Sequence, residues 1–459
     1  MFRTCAIAVL ATYLIIANQA SAATFNGTVE SVSEDDKSVT VKLIGKKEES
    51  KTFTLTATAV ILLDGKKANF EDISEGQTVA VTANTSNAAT KLTLKTPKTP
   101  AGGKKPKRSD AEASLTGGGF WPQFRGPKRD NISPEKDLLE QWPEGGPKLV
   151  WEQKQLGEGF STVAIAEGKI LTMGNQGPSE MLLALSEADG KPLWSIKTGG
   201  SSYRNGMGNG PRGTPTIDVD RVYALGANGD LICVGIDKGD VVWQKNILKD
   251  YGGDNIQWGI SESVLIDGNQ LICCPGGKQG TIVSFDKMSG REIWRSNIQG
   301  NPRASYASPI LVEFGGERLV VNYVHTGVVA VRAKNGSPLW GFPASANDTA
   351  NCSAPLFADG MIFTASGYGT GCAMFKLSPG GKASLGYSNK EMKNHHGGMV
   401  VLDDYVYGFD EQILKCLNLK TGEPVWQNRS VGKGSLTYAD GHFYLRSENG
   451  PVALCVATP

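Results

Sequence analysis

Six short segments carry the side chains best suited to recognition chemistry, and each stands directly before an apolar run. They are Arg212-Gly213-Thr214-Pro215, Trp258-Gly259-Ile260-Ser261, Tyr306-Ala307-Ser308-Pro309, Asn351-Cys352-Ser353-Ala354-Pro355, His395-His396-Gly397 and Lys433-Gly434-Ser435. Brought to one place, Arg212, Trp258, Tyr306, Asn351, His395, His396 and Lys433 offer charge-assisted hydrogen bonds and aromatic stacking, which suit a small polar, anionic or aromatic ligand. The plainer alternative is that they seal and solvate a channel. His395 and His396 are two of the four histidines. In an extended segment neighbouring side chains point to opposite faces, so the pair is not expected to share a metal, and a proton-donating or hydrogen-bonding role suits it better. No metal site and no catalytic residue is assigned. Cys273-Cys274 reads as two packed thiols, with a vicinal disulfide left open. Gly208-Asn209-Gly210 is a loop without the helix that a phosphate-binding glycine motif requires.

The elements that would position these residues repeat. Five tryptophans, Trp194, Trp243, Trp294, Trp340 and Trp426, each follow a glycine by four residues: Gly190, Gly239, Gly290, Gly336 and Gly422. A small residue stands ten before each: Ala184, Cys233, Ser284, Ala330 and Cys416. With about one residue in eight being glycine, five in register by accident has a probability on the order of 10⁻⁵, so a structural repeat is the better account. Each unit reads as two hairpins: an apolar strand, a turn and a second strand, then a strand, a glycine turn and a strand closed by Trp. The indole is large enough to bridge to the next unit. A degenerate unit ends near Tyr387, and the C-terminal strands lack a fourth, which Leu149-Val150-Trp151 is expected to supply. The expectation is an all-β chain, a seven-bladed β-propeller of four-stranded blades.

Composition agrees. Among 459 residues there are 57 Gly and 22 Pro, and 47 Lys+Arg balance 46 Asp+Glu. Frequent turns suit short strands, and the near-neutral charge excludes a nucleic-acid partner held by bulk electrostatics. Residues 1–22 resemble a secretory signal: a charged start, a short apolar run and Ala20-Ser21-Ala22 before the cleavage point. No later run is apolar for long enough to span a membrane. The expected mature chain is a monomer, periplasmic or secreted. Alternating runs over residues 23–96 predict a small β-barrel-like domain, with Asp64-Gly65 as a hairpin turn. Residues 97–119 form a Pro/Gly/Lys-rich linker, read as a solvated spacer, and the propeller occupies 120–459.

The hydrophobic-x-small…Gly-x-x-hydrophobic-Trp pattern resembles the PQQ-like (quinoprotein-type) β-propeller repeat. Trp121-Pro122-Gln123-Phe124-Arg125-Gly126-Pro127, Asn394-His395-His396-Gly397-Gly398 and Val431-Gly432-Lys433-Gly434-Ser435-Leu436-Thr437 narrow the likeness to an exported bacterial subgroup. The wider family includes PQQ-dependent dehydrogenases and a non-catalytic lipoprotein of the outer-membrane β-barrel assembly machinery, so fold does not fix function. The dehydrogenases hold Ca²⁺ with acidic and amide side chains, and no such set stands at the blade entrances here. The resemblance therefore implies a binding or scaffolding module of the cell envelope without cofactor, its partner a small polar ligand or an envelope protein. A PQQ-dependent oxidoreductase using PQQ with Ca²⁺ is the alternative.

Overall fold

A computed structural model describes residues 23–33, 36–44, 49–63, 66–70, 73, 77–84, 86–95 and 119–459. The signal segment 1–22, the Asp64-Gly65 turn and nearly all of the linker lie outside the described residues. The chain divides into two compact units, residues 1–111 and 112–459. Both are built from strands, and among the described residues no helix is long and apolar enough to cross a membrane.

The smaller unit is a six-stranded sheet of β1 (Ala23–Ser33), β2 (Ser38–Leu43), β3 (Ser50–Leu63), β4 (Lys66–Lys67), β5 (Thr78–Ala83) and β6 (Ala88–Lys95). β1 pairs with β2 and β5, β2 also pairs with β3, β3 runs parallel to β6, and β6 pairs with β5. The pairings thus return to their starting strand. The alternation read in the sequence puts Val39, Val41, Phe53, Val79 and Val81 inside this unit, because residues two apart on a strand share a face.

The larger unit holds seven four-stranded sheets in a β-propeller architecture. The first sheet comprises β8 (Ala164–Ala166), β9 (Lys169–Gln176), β10 (Ser179–Ser186) and β11 (Pro192–Lys197). Five further antiparallel sheets cover residues 216–246, 265–296, 310–342, 356–389 and 400–428. The last sheet uses residues 434–456 and takes its fourth strand, β7 (Ile132–Ser133), from far upstream. The apolar core runs between sheets, joining for instance Tyr223, Leu271 and Val320 of three successive ones.

The repeat has a direct structural cause. In every regular sheet the small residue lies opposite the Trp, as Ala184 opposite Trp194 and Cys233 opposite Trp243, and the register shifts immediately afterwards. A larger side chain there would collide with the indole across the ladder. The Trp ring then covers the glycine of the following sheet. Gly239 has φ +73° and a Cβ on it would come within 2.8 Å of Trp194, whose Nε1 donates to Ile236 O at 3.0 Å. Trp243 and Trp294 repeat this bond on Lys287 O and Ala333 O. Tyr387, the residue standing where Trp was expected, covers Gly422 and donates its hydroxyl to Leu419 O at 3.0 Å.

Two expectations need correction. Leu149-Val150-Trp151 is not a paired strand: Leu149 and Val150 are 71% and 83% exposed, while β7 joins the opposite edge of the last sheet, parallel to Gly434–Ala439. Trp151 alone keeps the bridging role, packing on Gly190 and donating to Glu187 O at 3.1 Å. The second correction is one five-residue helix, Ile247–Tyr251, where no helix was expected. Asn246 caps it by accepting from Lys249 N, and Gly252 ends it in the left-handed region.

Candidate functional site

The segments that precede the inner strands do bring most of the predicted residues together. Trp258 and Tyr306 pack with ring centroids 5.4 Å apart. Arg212 lies over Phe160 at 4.7 Å, and its Nη1 and Nη2 donate to Gly210 O and Gly208 O. Cys352 sits within electrostatic reach of both Arg212 and Lys433, yet burial outweighs the two cations and pushes its thiol up to about 12. That thiol is protonated at neutral pH and is no nucleophile. Burial likewise raises the Tyr306 hydroxyl to about 12 and lowers the Arg212 guanidinium.

His395 and His396 do not point apart. Their rings stack 5.0 Å apart with an 18° interplanar angle, because the segment bends before Gly397 and Gly398, which have φ +74° and +68°, and the strand alternation does not apply. His395 Nε2 meets the Tyr368 hydroxyl at 2.9 Å, and His396 Nε2 meets Glu448 at 2.7 Å. Burial, then Lys433 and His396, hold His395 down to about 4, so it is neutral at physiological pH. Lys433 Nζ stands 3.8 Å from Glu448. The hydrogen bond from His396 keeps the Glu448 carboxyl below its ordinary range.

Asn351 is the exception among the predicted residues. It is fully buried, and its amide is committed to Val324 O, His325 O, Asn347 N and Ser366. It fixes a turn and has no group left for a ligand. Trp258 is the opposite case: its indole Nε1 is buried without a partner among the described residues. Phe160, Tyr368 and Glu448 were missed by the sequence reading. Tyr368 and Glu448 stand in turns within two of the sheets and Phe160 in the irregular segment before β8, and none carries a local signal.

The segment Trp121–Asn131 packs against the residues that lead directly into the inner strands. Arg129, almost fully buried, donates to Pro309 O (2.6 Å), Ser263 O (2.9 Å) and Val264 O (2.6 Å), and its Nε to Gln123. Arg125 donates to Met399 O at 2.6 Å. Glu262 is buried near Arg129, accepts Cys274 N, and is raised to about 8 by burial. Cys273 and Cys274 are separate buried thiols, raised well above the usual range by burial.

A calcium–quinone pair does not fit this mouth. Ca²⁺ takes six to eight oxygen ligands. The carboxylate bonded into the histidine group, Glu448, is already engaged by His396 and Lys433, and among the described residues no three His, Cys, Asp or Glu are grouped to hold a metal.

Comparison with known proteins follows the same lines. A family model described as outer membrane protein assembly factor BamB matches residues 143–277 and 257–428. The outer membrane protein assembly factor BamB of Yersinia pestis is 24% identical over 230 residues, 48% of this chain and 52% of that protein. The BamB of Moranella endobia is 29% identical over 196 residues, 42% and 46% of the two chains. The chain thus spans about half the length of the curated relatives it matches. Among solved structures, a quinohemoprotein alcohol dehydrogenase of Pseudomonas putida HK5 superposes with TM-score 0.50 at 14% identity, covering 74% of this chain and 71% of its own; this is a likeness of fold alone.

Proposed function

The chain belongs to the family described as outer membrane protein assembly factor BamB, and from that premise we propose that it is an exported, non-catalytic propeller that binds a partner in the bacterial envelope. The seven sheets are read as seven blades of one closed ring, preceded by a small barrel that folds on its own core. The observation that carries the reading is the convergence of Arg212, Trp258, Tyr306, His395, His396 and Lys433 at one mouth. Arg212 and Lys433 supply positive charge there, and Trp258, Tyr306 and Phe160 apolar faces. Such a surface holds an anionic or aromatic group of a small ligand or of an envelope protein. The chain acts as a monomer in the periplasm, and no cofactor is needed for this role.

The test is photo-crosslinking from Met207, which is 73% exposed on the loop that carries Arg212. In cells, a crosslink to an outer-membrane assembly component is expected, and Arg212→Glu should reduce it at least tenfold. Purified protein supplied with PQQ and Ca²⁺ should show no dye-linked alcohol oxidation. Turnover in that assay would replace the binding role with an oxidoreductase.

A further inference from the structure

Between the inner strand of the first sheet, β8, and that of the last, Gly434–Ala439, lies a cavity of about 550 Å³. It falls at the seam where the two ends of the sheet array meet. Its walls are largely apolar, including Phe120, Trp121, Phe124, Ile165 and Leu436, and its size and lining suit an organic ligand. Apart from His396 it shares no residue with the group at the mouth.

Arg125 also lines this cavity and is 5% exposed. Its Nη2 donates to Met399 O, but among the described residues its Nε is buried with no partner and no carboxylate stands within ion-pair distance of it. Asp130 acts on it only through space, and burial pulls the guanidinium down to about 10 without neutralising it. A buried charge ordinarily has a counter-ion; here an apolar cavity stands beside it. Glu135, also on the lining, is exposed.

We propose that the seam cavity binds a small amphipathic carboxylate, with the apolar body between β8 and Gly434–Ala439 and the anionic group on Arg125. A guanidinium meets a carboxylate with charge-assisted hydrogen bonds, and Arg125 keeps N–H groups for that contact beyond the one on Met399 O. The cavity's aromatic and aliphatic wall residues accept a chain or a ring. The ligand is held by shape and one charge, so chain length and the anionic group both matter.

Isothermal titration calorimetry of the full chain with decanoate, decanol and decylamine tests this. Decanoate should bind one-to-one, with decanol at least tenfold weaker and decylamine not binding. Val163→Trp, placed on a half-exposed wall residue, should weaken decanoate at least tenfold while the melting temperature holds. Arg125→Gln should abolish the preference of decanoate over decanol. If that variant fails to fold, the ligand comparison and Val163→Trp still decide. No decanoate binding, equal binding of decanol, or undiminished binding by Val163→Trp would each overturn the proposal.

Discussion

Glu262 and Arg129 show how a buried pair beside the start of an inner strand acts at the scale of single residues. Glu262 is 2% exposed and its carboxyl is raised to about 8, against about 4.5 in an unfolded chain. Between those values the folded protein holds a proton that the unfolded chain has lost. Stability from this group is therefore complete below about pH 4.5 and is lost as pH rises through about 8. Glu262→Gln keeps an acceptor for Cys274 N but removes the titration. Relative to wild type, its stability should rise between pH 5 and pH 8, by on the order of a few kcal/mol at most. Thermal melts of both proteins at pH 5, 6.5 and 8 check this; a constant difference across the series would show that Glu262 does not titrate in that window. Glu180, raised to about 7 by burial, works in the same direction in both proteins and cancels in the comparison.

At the scale of the element, the unit of construction is a Trp of one sheet locked over a glycine of the next. Two substitutions separate its parts. Gly268→Ala meets open space at φ +58° and should cost only the left-handed backbone penalty, about 1–2 kcal/mol. Gly239→Ala at φ +73° also drives a methyl into the Trp194 ring, adding about 1–3 kcal/mol for overpacking. Chemical denaturation should rank them in that order, and equal losses would refute the lock. Tyr387→Phe should cost about 1 kcal/mol for the hydroxyl bond to Leu419 O. A larger loss there would mean that the ring had shifted off Gly422.

For the whole molecule, closure depends on chain that precedes the first sheet. β7 joins the last sheet, Trp151 covers Gly190, and Arg129 ties carbonyls before two different sheets. Arg129→Met should cost about 3–5 kcal/mol, because three buried carbonyls lose their donor. Deleting residues 1–151 should lower the melting transition of the propeller far more than deleting 24–110, since the smaller unit has its own core. Calorimetry in which both truncations melt alike would show that 119–151 contributes nothing to closure.

The repeat was legible because its cause is local to two strands and a turn. A small residue must face the indole, a glycine must turn with positive φ beneath the preceding Trp, and both leave fixed spacings in the chain. The same logic predicts one mouth for the residues before each inner strand, although Asn351 turns inward to serve its own turn. What spacing did not reveal depends on contacts between distant segments. β7 is two residues long and runs parallel to its neighbour, so no alternation marks it. Leu149-Val150-Trp151 has the composition of a closing strand, yet only its indole is used. The stacking of His395 on His396 follows from a bend that the sequence reading treated as extended. Arg125 and Arg129 acquire their roles only when the ring around them supplies carbonyls from segments more than a hundred residues away. Periodic packing is written in the chain because each repeat meets the same neighbour, whereas plug, seam and mouth are each made once and only the closed tertiary structure decides them.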